Sequence, residues 1–161
     1  MRKMLMMAAL AVAAVLSVET ASANAIWQIR STGGQYHRYG MYVGQGAKAQ
    51  FGVWPVAPGH SAGAVWTWDG WNTVRWREAN WCWNQQGPYG NWDEVWLVAM
   101  WLSPDDYGPW TVDITYALYV DNQYGQRFWD NNNGMNYTLR IGQGMFAGGD
   151  PSGLHSCTYW W

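Results

Sequence analysis

The sequence predicts an all-β fold, an antiparallel sandwich, and three observations carry that prediction. Short apolar runs rich in Val, Ile, Thr, Tyr and Trp recur between Gly, Pro, Asn and Asp residues. One of them, TVDITYALYV, has a period of two, with Val112, Ile114, Tyr116, Leu118 and Val120 on one face and Thr111, Asp113, Thr115, Ala117 and Tyr119 on the other. Beyond the N-terminal segment, no convincing amphipathic helix competes with these runs.

The strands follow in order. Ala47 to Trp54 alternates loosely, with Ala47, Ala49, Phe51 and Val53 on one side, and Pro55, Pro58 and Gly59 end it. Ala64 to Trp68, Asn72 to Trp76, Glu94 to Leu102, Val112 to Val120, Arg127 to Trp129 and Tyr137 to Ile141 complete the set. Asp121, Asn122 and Gly125 are turn residues, so Arg127 to Trp129 reads as the returning arm of a hairpin. Trp96 and Trp101 have opposite parity, so at least one points away from a one-sided core. Trp66, Trp68, Trp71 and Trp76 crowd around Asp69 and Gly70; the shared parity of Trp66, Trp68 and Trp76 suits either core filling or a second aromatic platform. There is no internal repeat.

Residues 1–25 read as a secretory signal: Arg2 and Lys3 begin it, Leu5 to Val18 is almost wholly apolar, and Ala23-Asn24-Ala25 supplies small residues for cleavage. The apolar run is shorter than the ~20 residues of a membrane-spanning helix. The expectation is a secreted or periplasmic protein with no membrane contact after signal removal, its single domain covering 26–161. Cys82 and Cys157, 75 positions apart, read in an exported chain as one disulfide, with two unpaired thiols as the alternative. No second Cys or His stands at ligand spacing from either, so no metal site and no cofactor are expected.

Composition excludes other partners. Nine Lys and Arg against 11 Asp and Glu, net −2, leave no basic surface to neutralise phosphates, so nucleic acid is not a partner. The 15 Trp exceed what a core of this size needs, and every indole carries an N–H that wants an acceptor. Some of these rings therefore face solvent, where flat aromatic faces suit sugar rings.

The segment WDNNNGMNY, Trp129 to Tyr137, sets amides and carboxylates between two aromatics. An asparagine side chain both donates and accepts, as a sugar hydroxyl does. The competing reading is a polar turn whose Asx side chains bond their own backbone.

This segment, with ITYALYV and a turn before it, resembles the closing hairpin of the starch- and glycogen-binding modules of carbohydrate-binding family twenty-one; families twenty-five and fifty-three end similarly. The resemblance covers Val112 to Ile141, within a module-like part at about 64–145, and nothing in Ile26 to Gly70 matches it. It implies an immunoglobulin-like sandwich that binds α-glucan without cleaving it. By that likeness Trp129 stacks on glucose, Asn131 and Asn136 bond hydroxyls, Tyr116 contributes from the preceding strand, and a loop tryptophan completes the site, best matched by Trp92 with Trp81 and Trp83 competing. Tyr116 also falls on the apolar parity of its strand, which points to the core instead. The residues before Gly70 are then extra strands of the same domain or a separate binding surface.

Two other functional classes draw on residues of the same sequence. A glycosidase needs two carboxyl groups across a cleft; Asp69, Asp93, Glu94, Asp105 and Asp106 are available, but none sits in an identifying motif and turn or surface positions are the default. His37, His60 and His155 are scattered without metal or nucleophile spacing. Asp130 to Gly134 has the outline of a calcium loop, but its Gly comes one position early and no closing Glu follows. A secreted structural or protein-binding domain would also expose Trp and Tyr; the Asn-rich turn is what favours sugar over that reading.

Overall fold

The computed structural model describes residues 25–87, 90–145, 147, 151–158 and 160; the signal segment expected over 1–25 lies, but for Ala25, outside them. Among the described residues the strands are β1 (Ala25–Arg38), β2 (Met41–Trp54), β3 (Ser61–Thr67), β4 (Arg75–Glu78), β5 (Asn80–Gln86), β6 (Trp92–Leu102), β7 (Val112–Asp121), β8 (Arg127–Asp130) and β9 (Tyr137–Ile141). The first sheet runs β1-β2-β6-β5 and the second β4-β3-β7, with β8 and β9 both on the far edge of β7. All pairings are antiparallel, as the all-β sandwich reading requires.

Period-two patterning builds the core. Ala47, Ala49, Phe51 and Val53 of β2 and Trp96, Val98, Met100 and Leu102 of β6 face Ala62, Ala64 and Trp66 of β3 and the Val112-to-Val120 set of β7. These inward positions are the ones alternation assigns in β2 and β7.

Three elements differ from the sequence reading. β1 and the first half of β2 pair over their whole length, although Gly33, Gly34, Gly44 and Gly46 give them no alternation to read. With β3 they place residues 25–67 in the same two sheets as the rest. β5 also forms, carrying Cys82. The expected strand over Asn72 to Trp76 starts only at Arg75, because Asp69 holds a turn there: its Oδ1 accepts from the Thr67 hydroxyl at 2.8 Å and from the Thr73 N–H at 2.8 Å. That turn resets the parity, so Trp66 faces the core while Trp76 faces outward.

The middle of the first sheet, β2 and most of β6, is covered on both faces. Its outer side meets the C-terminal segment, where Leu154 of a 3₁₀ helix (Pro151–His155) and Ala147 pack on Tyr36 and Ala99, with Trp101 partly buried beside them. Opposite parity therefore sends Trp96 to the core and Trp101 to this second cluster. A Cβ at Gly46 would stand 2.9 Å from Leu154 Cδ2, so this strand position has room for no side chain.

Polar bonds fix the cover. Lys48 is fully buried and its ammonium donates to the carbonyls of Gly153 at 3.0 Å and Ser156 at 3.2 Å. The Gln50 amide donates to the Cys157 carbonyl at 3.4 Å, and the Trp160 ring lies 3.8 Å from the Arg30 guanidinium carbon. Cys82 and Cys157 form the expected disulfide, tying this segment to β5.

Replacing Cys157 by Ala removes a cross-link closing a 75-residue separation and should lower unfolding free energy by about 2–4 kcal/mol, measured by denaturant titration under non-reducing conditions. Burial, and then the Arg30 charge, pull the Lys48 ammonium down to about 8. Between that value and its ordinary one the unfolded chain holds more protons, so stability rises with pH over this window and is flat below it. The rise should amount to roughly 1–3 kcal/mol, and Lys48→Met should abolish it in denaturant titrations across the window.

Candidate functional site

The outer face of the second sheet carries a cluster of three aromatic rings. Trp129 of β8 stands opposite Tyr119 of β7 in the ladder, and Tyr119 stands opposite Gly63 of β3. Gly63 has no side chain because the phenol of Tyr119 lies across it: a Cβ there would sit 2.6 Å from the hydroxyl. Through that gap Tyr119 reaches Trp76 of β4. Ring centroids are 5.6 Å apart for Trp76 and Tyr119, 5.6 Å for Tyr119 and Trp129, and 5.7 Å for Trp76 and Trp129. The mutual tilts, near 60°, are the edge-to-face arrangement that ring quadrupoles favour.

Arg127 secures the cluster. Its guanidinium carbon is 4.2 Å from the Tyr119 ring centroid, 5.1 Å from that of Trp76 and 5.7 Å from that of Trp129. Two 2.7 Å bonds to the Asp121 carboxylate, across the β7–β8 hairpin, hold it there. Tyr119 is nearly closed off, and burial raises its phenol above the usual range against the opposing pull of Arg127. Trp129 and Trp76 stay 47% and 54% exposed.

The asparagine run is an edge excursion beside this cluster. The chain leaves the β7 edge at Asp130, opposite Leu118, and rejoins it at Tyr137, opposite Tyr116. Residues 131–136 thus loop out at the level of Ala117, directly after Trp129. Asn132, Asn133 and Asn136 have φ of 52°, 56° and 58°, a region asparagine tolerates better than other side-chain-bearing residues. The Asn131 Oδ1 accepts from the Gly134 N–H at 3.0 Å, and the Asn132 amide donates to the Asn136 carbonyl at 3.2 Å. The self-bonded polar turn is therefore present, and it leaves Asn131 exposed at the sheet edge.

Tyr116 is corrected to the core. It is 1% exposed, stacks on Tyr137 at 5.5 Å, and donates its hydroxyl to the Gln28 carbonyl oxygen Oε1. Tyr137 in turn donates to Asp130 Oδ2 at 2.7 Å. Tyr116 thus supports the base of the turn from below, as its apolar parity indicated, and offers no ring to a ligand. Trp92 is exposed, but on β6 of the first sheet beside Gln86 of β5. Among the described residues the rings touching Trp129 are Tyr119 and Trp76, not Trp92, Trp81 or Trp83. Trp81 and Trp83 lie on β5, their indoles donating to Asn84 and Gln85.

Three of the five acidic candidates are engaged in bonds that hold the fold. Glu94 is buried and accepts from the Ala57 N–H and the Trp96 indole, with His60 Nδ1 at 3.1 Å. Asp106 accepts from Arg75 and from Ser103, and the Arg75 bonds hold its carboxyl at about 2. Asp69 holds its turn, its carboxyl lowered chiefly by bonding to Thr73. Asp93 is buried, which raises it. Among the described residues no three His, Cys, Asp or Glu side chains group as metal ligands.

No protein-family model matches the chain, and no curated protein matches its sequence. Solved structures that align with it include an uncharacterized protein of Listeria monocytogenes EGD-e crystallised with α-D-glucose, β-D-glucose, magnesium and calcium, at TM-score 0.45 and 16% identity over 60% of this chain and 8% of that one. Another is the carbohydrate binding module of the muscle glycogen-targeting subunit of Protein Phosphatase-1, at TM-score 0.39 and 19% identity over 61% of this chain and 66% of that one.

Proposed function

We propose that the protein is an exported, non-catalytic glycan-binding protein that holds α-glucan on the outer face of its second sheet. The observation that carries this reading is the fixed yet open pair Trp129 and Trp76. Both indoles are about half exposed, and both are immobilised by each other, by Tyr119 and by Arg127. Rings already ordered before the ligand arrives lose little freedom on binding. Burying one such ring against the C–H face of a glucose unit contributes roughly 1.5–3 kcal/mol before association costs. Asn131 lies immediately beyond Trp129 in the edge loop and supplies amide groups for hydroxyls at the rim. Asn136 closes the same loop. The occupied states of Glu94, Asp106 and Asp69 support binding without hydrolysis.

Retention on insoluble starch, with cellulose as control, tests the reading, and the expected dissociation constant lies in the micromolar to millimolar range. Trp129→Ala should weaken binding of soluble maltooligosaccharides about tenfold, with the thermal midpoint nearly unchanged. Trp76→Ala should do the same. Asn131→Ala and Asn136→Ala should give smaller losses, and their thermal midpoints report how far each residue serves the turn rather than the sugar. Failure to bind starch or maltooligosaccharides sinks the glucan assignment, and release of reducing sugar by the pure protein sinks the non-catalytic one.

A further inference from the structure

A second concave surface lies around the corner of Trp76. A cleft of about 560 Å³ opens between β4 and the 3₁₀ helix, lined among others by Trp66, Trp76, Trp101, Arg75, Arg77 and His155. That volume is in the range of small-ligand sites. It continues past Trp76 and Arg77 into a stretch of about 520 Å³ reaching Tyr119, Glu78 and Asn80.

The charge of the cleft is the informative feature. The chain as a whole is net negative at −2, yet among the described residues no carboxylate lines the 560 Å³ cleft. Arg75 is neutralised by Asp106 from outside and stacks on Trp68 at 4.4 Å. Arg127 and Arg140 are likewise paired, with Asp121 and Asp113. Arg77 is exposed and makes no salt bridge among the described residues. Desolvation, and then the charges of Arg77 and Lys48, lower the His155 imidazole, so it enters the cleft as a neutral donor and acceptor at neutral pH.

We propose that this cleft binds an acidic saccharide, with the Arg77 guanidinium pairing with a uronate carboxylate while Trp76 and Trp101 meet the sugar ring. A guanidinium fork matches a carboxylate through two parallel N–H bonds, and an indole beside it meets the apolar C–H face of the same sugar. The site goes beyond the glucan platform and shares only Trp76 and Tyr119 with it, so either can fail without the other.

The test is titration of the full protein with trigalacturonate and, separately, with maltotriose, following tryptophan fluorescence. Trigalacturonate should bind with an affinity that falls as salt is added, while maltotriose binding should be insensitive to salt. Arg77→Ala should cut trigalacturonate binding about tenfold or more and leave maltotriose binding unchanged, whereas Trp129→Ala should do the reverse. Trigalacturonate binding in a protein that ignores maltotriose would uphold the acidic site while removing the glucan reading. No binding of trigalacturonate, binding that added salt does not weaken, or an Arg77→Ala protein that binds trigalacturonate as before overturns the proposal.

Discussion

One missing side chain organises the outer face of the second sheet. Gly63 leaves a gap in the middle of the sheet, and Tyr119 falls into it instead of standing upright from β7. Lying flat, the phenol bridges two strands and brings Trp76 of β4 and Trp129 of β8 into one cluster, though neither strand pairs with the other. Any larger residue at position 63 would have to displace that ring, because the Arg77 carbonyl closes the other side of the gap. The exposure of the two indoles is thus a consequence of packing beneath them: the sheet holds their edges, and their remaining surface has nowhere to be buried.

That dependence explains which parts of the site were legible in the sequence. Trp129 could be found because it borders a turn and carries the family-like motif. Tyr119 was placed on the outer parity of its strand, but parity says nothing about whether a ring stands or lies down. Trp76 was harder still. Its even number groups it with Trp66 and Trp68 only if one continuous strand connects them, and the Asp69 turn breaks that continuity. Tyr116 shows local patterning prevailing over a motif: its apolar parity put it in the core, where it supports Tyr137 and Asp130 under the asparagine turn.

The fold was legible wherever one face is apolar and the other polar, as in β7 and the second half of β2. It was not legible in β1, where glycine, serine and glutamine replace alternation. The physical reason is that the first sheet is buried on both faces over Gly33 to Tyr36 of β1 and Gly44 to Val53 of β2. Its outer side is packed against the C-terminal segment, so small residues admit the close approach of Leu154 and Ala147, and the polar side chains of Lys48 and Gln50 find carbonyl partners inside. Where glycine and glutamine stand in place of an apolar face, as over Gly33 to Gln35, burial on both faces leaves no period to read. The pairing of the two cysteines, and that it pins the C-terminal end to the middle of the chain, was readable; the strand that receives it, β5, was not.

The fastening bears on the acidic cleft. One wall of that cleft is β4 and the flank of the first sheet, and the other is the 3₁₀ helix, which hydrogen bonds and packing attach to the rest of the protein. Lys48 grips the Gly153 and Ser156 carbonyls from beneath the helix, and the disulfide fixes the next residue, Cys157, to β5. The position of His155 opposite Arg77 is therefore set from two directions, by a buried ammonium and by a covalent bond. Of the buried cation and the exposed one, the first is spent on holding the wall. The second, Arg77, makes no salt bridge among the described residues and is available to an anion that the cleft admits.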